Sequence, residues 1–170
     1  MAFPPFPPSQ LHPVFNHIPI VLIPLAAFLA TIGRTKDWAW KASGVVVILA
    51  ALGALATVVT GLSWYDGVHR MLAGGGPATS ARLATLSTHR MLGLAVGAGA
   101  FVAAGMHLWK RDALRTGAWG LAWLVFLWAL TLLVLGAAWY GGSLVFERPA
   151  GVGNGSGLRP GGNGTASPTP

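Results

Sequence analysis

Four apolar runs, at about 13–33, 40–65, 91–109 and 118–140, leave this chain few ways to fold. Each is close to the ~20 residues that a helix needs to cross ~30 Å of hydrocarbon. In lipid every backbone polar group must be satisfied within the protein, so only helices and closed barrels span it. The runs are continuously apolar rather than alternating, which selects helices. Only 9% of the 170 residues are charged, and the charges sit between the runs; a soluble domain carries about 25%. The sequence therefore predicts an all-α integral membrane four-helix bundle over 13–146, with both termini on the same side.

The flanking segments are of a different kind. Residues 1–12, rich in proline and phenylalanine, read as an extended N-terminal segment, and 147–170 as a disordered Gly/Pro-rich tail. No Lys or Arg precedes Arg34, so the first run lacks the basic start of a cleavable signal and is read as a retained span. Pro13 suits a first helical turn, whereas Pro19 and Pro24 predict a bend. Gly74-Gly75-Gly76-Pro77 predicts the turn between spans two and three, with Thr79 or Ser80 capping a third helix that starts beyond the membrane. Trp38, Trp40, Trp109 and Trp119 mark one membrane boundary; Trp64, Tyr65, Trp139 and Tyr140 mark the other.

Orientation follows from the basic residues. Arg34, Lys36, Lys41, Lys110, Arg111 and Arg115 flank the two short loops, and Arg70, Arg82, Arg90, Arg148 and Arg159 lie on the other side. The positive-inside rule puts the short loops in the cytoplasm and the termini in the periplasm of a bacterial inner membrane. The net charge of +7 thus belongs to span flanks, and nucleic acid is not an expected partner. Cysteine is absent, which excludes disulfides and thiolate metal sites. The four carboxylates, Asp37, Asp66, Asp112 and Glu147, all lie outside the mid-membrane region, and no phosphate loop, serine elbow or zinc-protease helix occurs. A stand-alone enzyme is not expected.

Histidine is the informative residue. The topology brings His12, His17, His69 and His89 to one end of the bundle, where neutral imidazoles would suit haem or a metal. His17 and His89 open two spans that run in the same direction, so they form the predicted axial pair for haem b. Gly93 and Gly97, below His89, would leave room for a flat ring, and equally would serve as a helix-packing face. His12 and His69 are the alternative ligands, with Asp66 one turn from His69 as a supporting carboxylate or a plain interfacial partner. His107 is ~27 Å along the helix from His89 and reads as an interfacial anchor.

Two motifs carry a family resemblance. Leu11-His12-Pro13-Val14-Phe15-Asn16-His17-Ile18-Pro19-Ile20 opens the first span, and Gly141-Gly142-Ser143-Leu144-Val145-Phe146 precedes Gly151-Val152-Gly153. Together they resemble the bacterial predicted membrane proteins of the domain-of-unknown-function family 2231, over about residues 11–153. The resemblance implies a four-span fold and, by association with redox proteins, a haem or electron-transfer role. Members often carry a histidine before the closing Gly-Val-Gly, where this chain has Glu147-Arg148-Pro149-Ala150, and Ile18 stands where phenylalanine is usual. Gly141 and Gly142 are expected to cap span four, with Leu144, Val145 and Phe146 folding back as a lid under the histidines.

Two functional expectations result. The first is haem b on His17 and His89, with electron transfer in or beside a respiratory complex and other redox subunits or a second copy as partners. The second is a cofactor-free accessory or assembly subunit. Metal-ion handling by the same histidines is weaker, since Thr57, Thr60, Ser63 and Thr131 are the few polar candidates for a path.

Overall fold

The computed structural model describes residues 8–73 and 79–146. The Gly-rich turn at 74–77 and the tail from 147 lie outside the described residues, as do the first seven residues. The described residues form four helices, α1 (Pro8–Gly33), α2 (Asp37–Ala73), α3 (Thr79–Lys110) and α4 (Gly117–Phe146). All four are long and apolar enough to cross a membrane. Each packs on its neighbour in sequence, and α4 closes the ring on α1. The fold is an up-down-up-down transmembrane bundle in which α1 faces α3 across the centre.

The helices exceed the spans. α2 has 37 residues, or ~55 Å at 1.5 Å per residue, against a hydrocarbon layer of ~30 Å. Its first turn lies beside the short α1–α2 connection at 34–36, so the surplus projects at the opposite end. There α2, α3 and the end of α4 bury a second small core of Val68, Leu72, Leu86 and Leu144 against Trp64 and Tyr65. At the N-terminus the helix already includes residues 8–12, which were expected to be extended. α1 remains one helix through Pro13, Pro19 and Pro24. Fully buried Pro19 and the adjacent Ile18 pack on Gly53 of α2, where a Cβ would strike the Ile18 side chain.

The main core is built largely of alanine, with Trp123 and Leu127 as its largest fully buried side chains. Small residues let the helix backbones approach closely, which is how transmembrane helices gain packing where lipid is as apolar as leucine. At the axis a void of about 10 Å³ remains, lined by Ile23, Ala26, Val47, Ala50, Ala100, Ala103, Leu127 and Leu130. Ser43, with no exposed surface, donates to the Ala26 carbonyl at 3.0 Å and ties α2 to α1. The end carrying the short loops is closed by Arg115, whose Nε donates to the Gly33 carbonyl at 3.1 Å and whose guanidinium meets Asp37 at 2.5 Å.

Candidate functional site

At the projecting end two imidazoles meet, and they are those of His12 and His89. The ring centroids lie 6.2 Å apart at 81°, edge to face. His12 reaches from α1 to α2, where its Nδ1 lies 3.0 Å from the Thr57 carbonyl. His89 reaches from α3 to α4, with Nδ1 2.9 Å from the Ala137 carbonyl. A carbonyl only accepts, so each Nδ1 carries the proton and donates, and each neutral ring keeps its lone pair on Nε2. One helical turn beyond each carbonyl stands a glycine. A Cβ on Gly61 would lie 2.8 Å from Cε1 of His12, and a Cβ on Gly141 would lie 2.8 Å from Cε1 of His89. The absence of a side chain at these two positions is what admits the rings.

The other predicted ligands lie elsewhere. His17 is exposed, and its Nδ1 bonds to the Pro13 carbonyl of its own helix at 2.7 Å. His69 is also exposed and rests beside Tyr65, at 5.9 Å between ring centroids. Asp66 is exposed too, and its main-chain carbonyl accepts from Arg70. At Gly93 a Cβ would meet nothing within 4 Å, so that glycine borders open space, whereas Gly97 packs on Val58 of α2. The closing motif also behaves differently from expectation. α4 runs through Gly141 and Gly142 to Phe146, and the one positive φ among the described residues is at Gly117. Val145 and Phe146 are exposed, and only Leu144 turns inward, so this segment forms no lid.

His107 and Trp40 reverse a second expectation. Both are buried rather than interfacial, at 8% and 6% exposure. The His107 ring lies between Trp40, at 5.1 Å, and Trp123, at 6.2 Å, with its Nε2 edge over Gly44. Nδ1 of His107 and Nε1 of Trp123 are buried without a hydrogen-bond partner.

The family described as Predicted membrane protein (DUF2231) matches residues 8–154, which is nearly all of the helical chain. The chain belongs to that family. No curated protein and no solved structure matches it. DUF2231 membership and the multi-pass bundle together place the protein in a bacterial membrane.

The haem b expectation is not sustained. Among the described residues no group of three or more His, Cys, Asp or Glu side chains could hold a metal ion. The predicted axial pair is not a pair, because His17 is exposed and bonded to its own helix. The two rings that do meet, His12 and His89, touch edge to face with no gap for a macrocycle between them. Electron transfer and metal handling through a histidine cluster fall with the haem, and neither His12 nor His69 supplies a replacement set.

Sequence spacing gave no sign of Thr57, Ala137, Gly61 and Gly141 as the seats of the two histidines. The signal that existed was their repetition, a glycine four residues after the accepting carbonyl on α2 and again on α4.

Proposed function

We propose that this DUF2231 protein is a non-catalytic accessory or assembly subunit of the bacterial inner membrane, binding a membrane partner through its outer helix faces. The observation that carries this reading is the set of outward glycines. A Cβ at Gly93, Gly105 or Gly136 would meet nothing within 4 Å of its own chain, although all three lie in long membrane helices. Glycine weakens a helix by ~1 kcal/mol relative to alanine, and in membranes it is used where another helix approaches closely. Around these positions the surface offers large apolar side chains such as Phe101, Leu108 and Leu132. The partner is a second membrane subunit or another copy of this chain.

A photo-crosslinking residue at Gly105 tests the reading in intact membranes. A discrete protein adduct is expected there, and a much weaker one from Leu25, which faces away on α1. Lipid adducts alone at Gly93, Gly105 and Gly136 would remove the basis for an accessory role.

The same reading puts the termini in the periplasm, supported by the six basic residues around the two short loops. Reporter fusions after Tyr140 should be active only as periplasmic reporters, and fusions at Asp112 only as cytoplasmic ones. The opposite pattern would invert the molecule.

A further inference from the structure

Laying His12 on His89 brings the rest of α1 into register with α3. Ile23 then corresponds to Ala100 and Ala26 to Ala103, and all four line the axial void. Laying Gly61 on Gly141 does the same for α2 and α4. Val47 then corresponds to Leu127 and Ala50 to Leu130, which complete the lining. The two registers differ by the extra length of the α3–α4 connection at 111–116 over the α1–α2 connection at 34–36. Burial repeats as well. Val14 and Met91 are both exposed, at 63% and 69%, as are Leu55 and Leu135, at 44% and 49%. Pro19 and Val96 are both buried, and so are Ala54 and Val134. With α1 facing α3 and α2 facing α4, the operation relating the halves is a two-fold rotation about the bundle axis, as in parallel repeats of other membrane proteins.

We infer that the chain is a tandem of two equivalent helical hairpins, and that the contact of His12 with His89 across their common axis is a proton-sensitive latch on the projecting end. Each ring holds its own hairpin together, through the Thr57 carbonyl in one half and the Ala137 carbonyl in the other. Their mutual contact then joins the hairpins. Both Nδ1 atoms are already protonated donors, so the next proton must go to an Nε2 and bring a positive charge into the contact. The surroundings do not compensate it. On α3 the neighbouring charges are both positive: Arg90, whose guanidinium lies 4.4 Å from the centre of the Tyr65 ring on α2, and Arg82, two turns before His89 on the same face, with its Nε buried. On α2, Asp66, His69 and Arg70 are exposed and stand beyond Gly61 toward the helix end. α4 contributes Tyr140, and α1 contributes His17, turned outward. Among the described residues the remaining carboxylates, Asp37 and Asp112, belong to the opposite end. A second charge repels the first, and the glycine seats leave the rings little room to part without moving the helices.

The chain has no cysteine, so pairs of spin labels go in without removing native residues. Labels at Val14 and Met91, equivalent exposed positions beside the latch, report the separation of α1 and α3 there. In full-length protein in liposomes that distance is expected to lengthen and broaden as the pH falls from about 8 to about 4, the low end being needed because burial holds both imidazoles below their ordinary range. Labels at Thr31 and Leu108, the equivalent exposed pair at the far end, are expected to stay fixed. The shift should disappear in His12→Gln and in His89→Gln, with the Thr31–Leu108 distance showing that each variant is folded. For the tandem itself, the pairs Leu25–Leu52 and Val102–Leu132 should give the same mean distance. An unchanged Val14–Met91 distance on acidification, an equal change at the far end, or a shift that survives in both glutamine variants would overturn the latch. Unequal distances in the two hairpins would overturn the tandem.

Discussion

Gly44→Leu lowers the stability of the bundle by about 3 kcal/mol, at the upper end of ordinary overpacking. A Cβ at this position would strike the His107 ring, and that ring is held between Trp40 and Trp123. The position corresponding to Gly44 in the second hairpin is Leu124, and the position corresponding to His107 in the first is Ala30. One half therefore uses a small residue against a large one, and the other reverses the sizes. Gly44→Leu combined with His107→Ala installs the second arrangement in both halves and should recover roughly 2 kcal/mol of the loss, a coupling within the range for residues in contact. Unfolding in mixed micelles, followed by tryptophan fluorescence, gives both numbers. Strict additivity of the two substitutions would show that they do not share a space.

Arg115→Ala is the second large effect, with an expected loss of about 2 kcal/mol, typical of a hydrogen bond made by a charged group. Its Nε serves the Gly33 carbonyl at the end of α1, an acceptor left over when the helix stops. The partner carboxylate matters less. The Asp37 side chain is 74% exposed, so Asp37→Ala should change stability by less than about 1 kcal/mol. Arg115→Lys keeps the charge but cannot serve a carbonyl and a carboxylate with one planar fork, and should fall between wild type and alanine. Equal losses for Asp37→Ala and Arg115→Ala, measured by the same titration, would place the energy in the ion pair instead.

The four spans are legible in the sequence because hydropathy is a property of residue type. The histidine cluster is not, since among the described residues only His12 and His89 meet. Nor is it legible which histidine points inward. His12 and His17 lie on different faces of α1, and in a soluble helix the polar face would have told them apart. Here the lipid-facing surface is as apolar as the core, so sequence offers no such contrast. The length of α2 is harder to read for a related reason: apolarity ends at the headgroups, while hydrogen bonding along α2 continues past them to Val68 and Leu72 in the second core. The start of α3 at Thr79 is legible from its cap. His107 and Trp40 read as interfacial residues from their position near helix ends. What buries them is packing between helices: the His107 ring of α3 lies against Trp40 of α2 and Trp123 of α4. Gly141 was read as a helix stop because glycine often is one, and its actual use depends on a ring arriving from α3.

The void on the axis has an electrical consequence. At about 10 Å³, with only apolar side chains around it, it offers at most the room of a single water and nothing for that water to bond. The imidazoles near the two ends of α3 are ~27 Å apart, with this dry layer between them. Protons move through proteins along chains of polar groups and water, and such a chain is interrupted here. A bacterium stores energy as a voltage worth roughly 2.3 kcal/mol per elementary charge per 100 mV. With eight apolar residues around the void, no side chain there would relay a proton across that voltage.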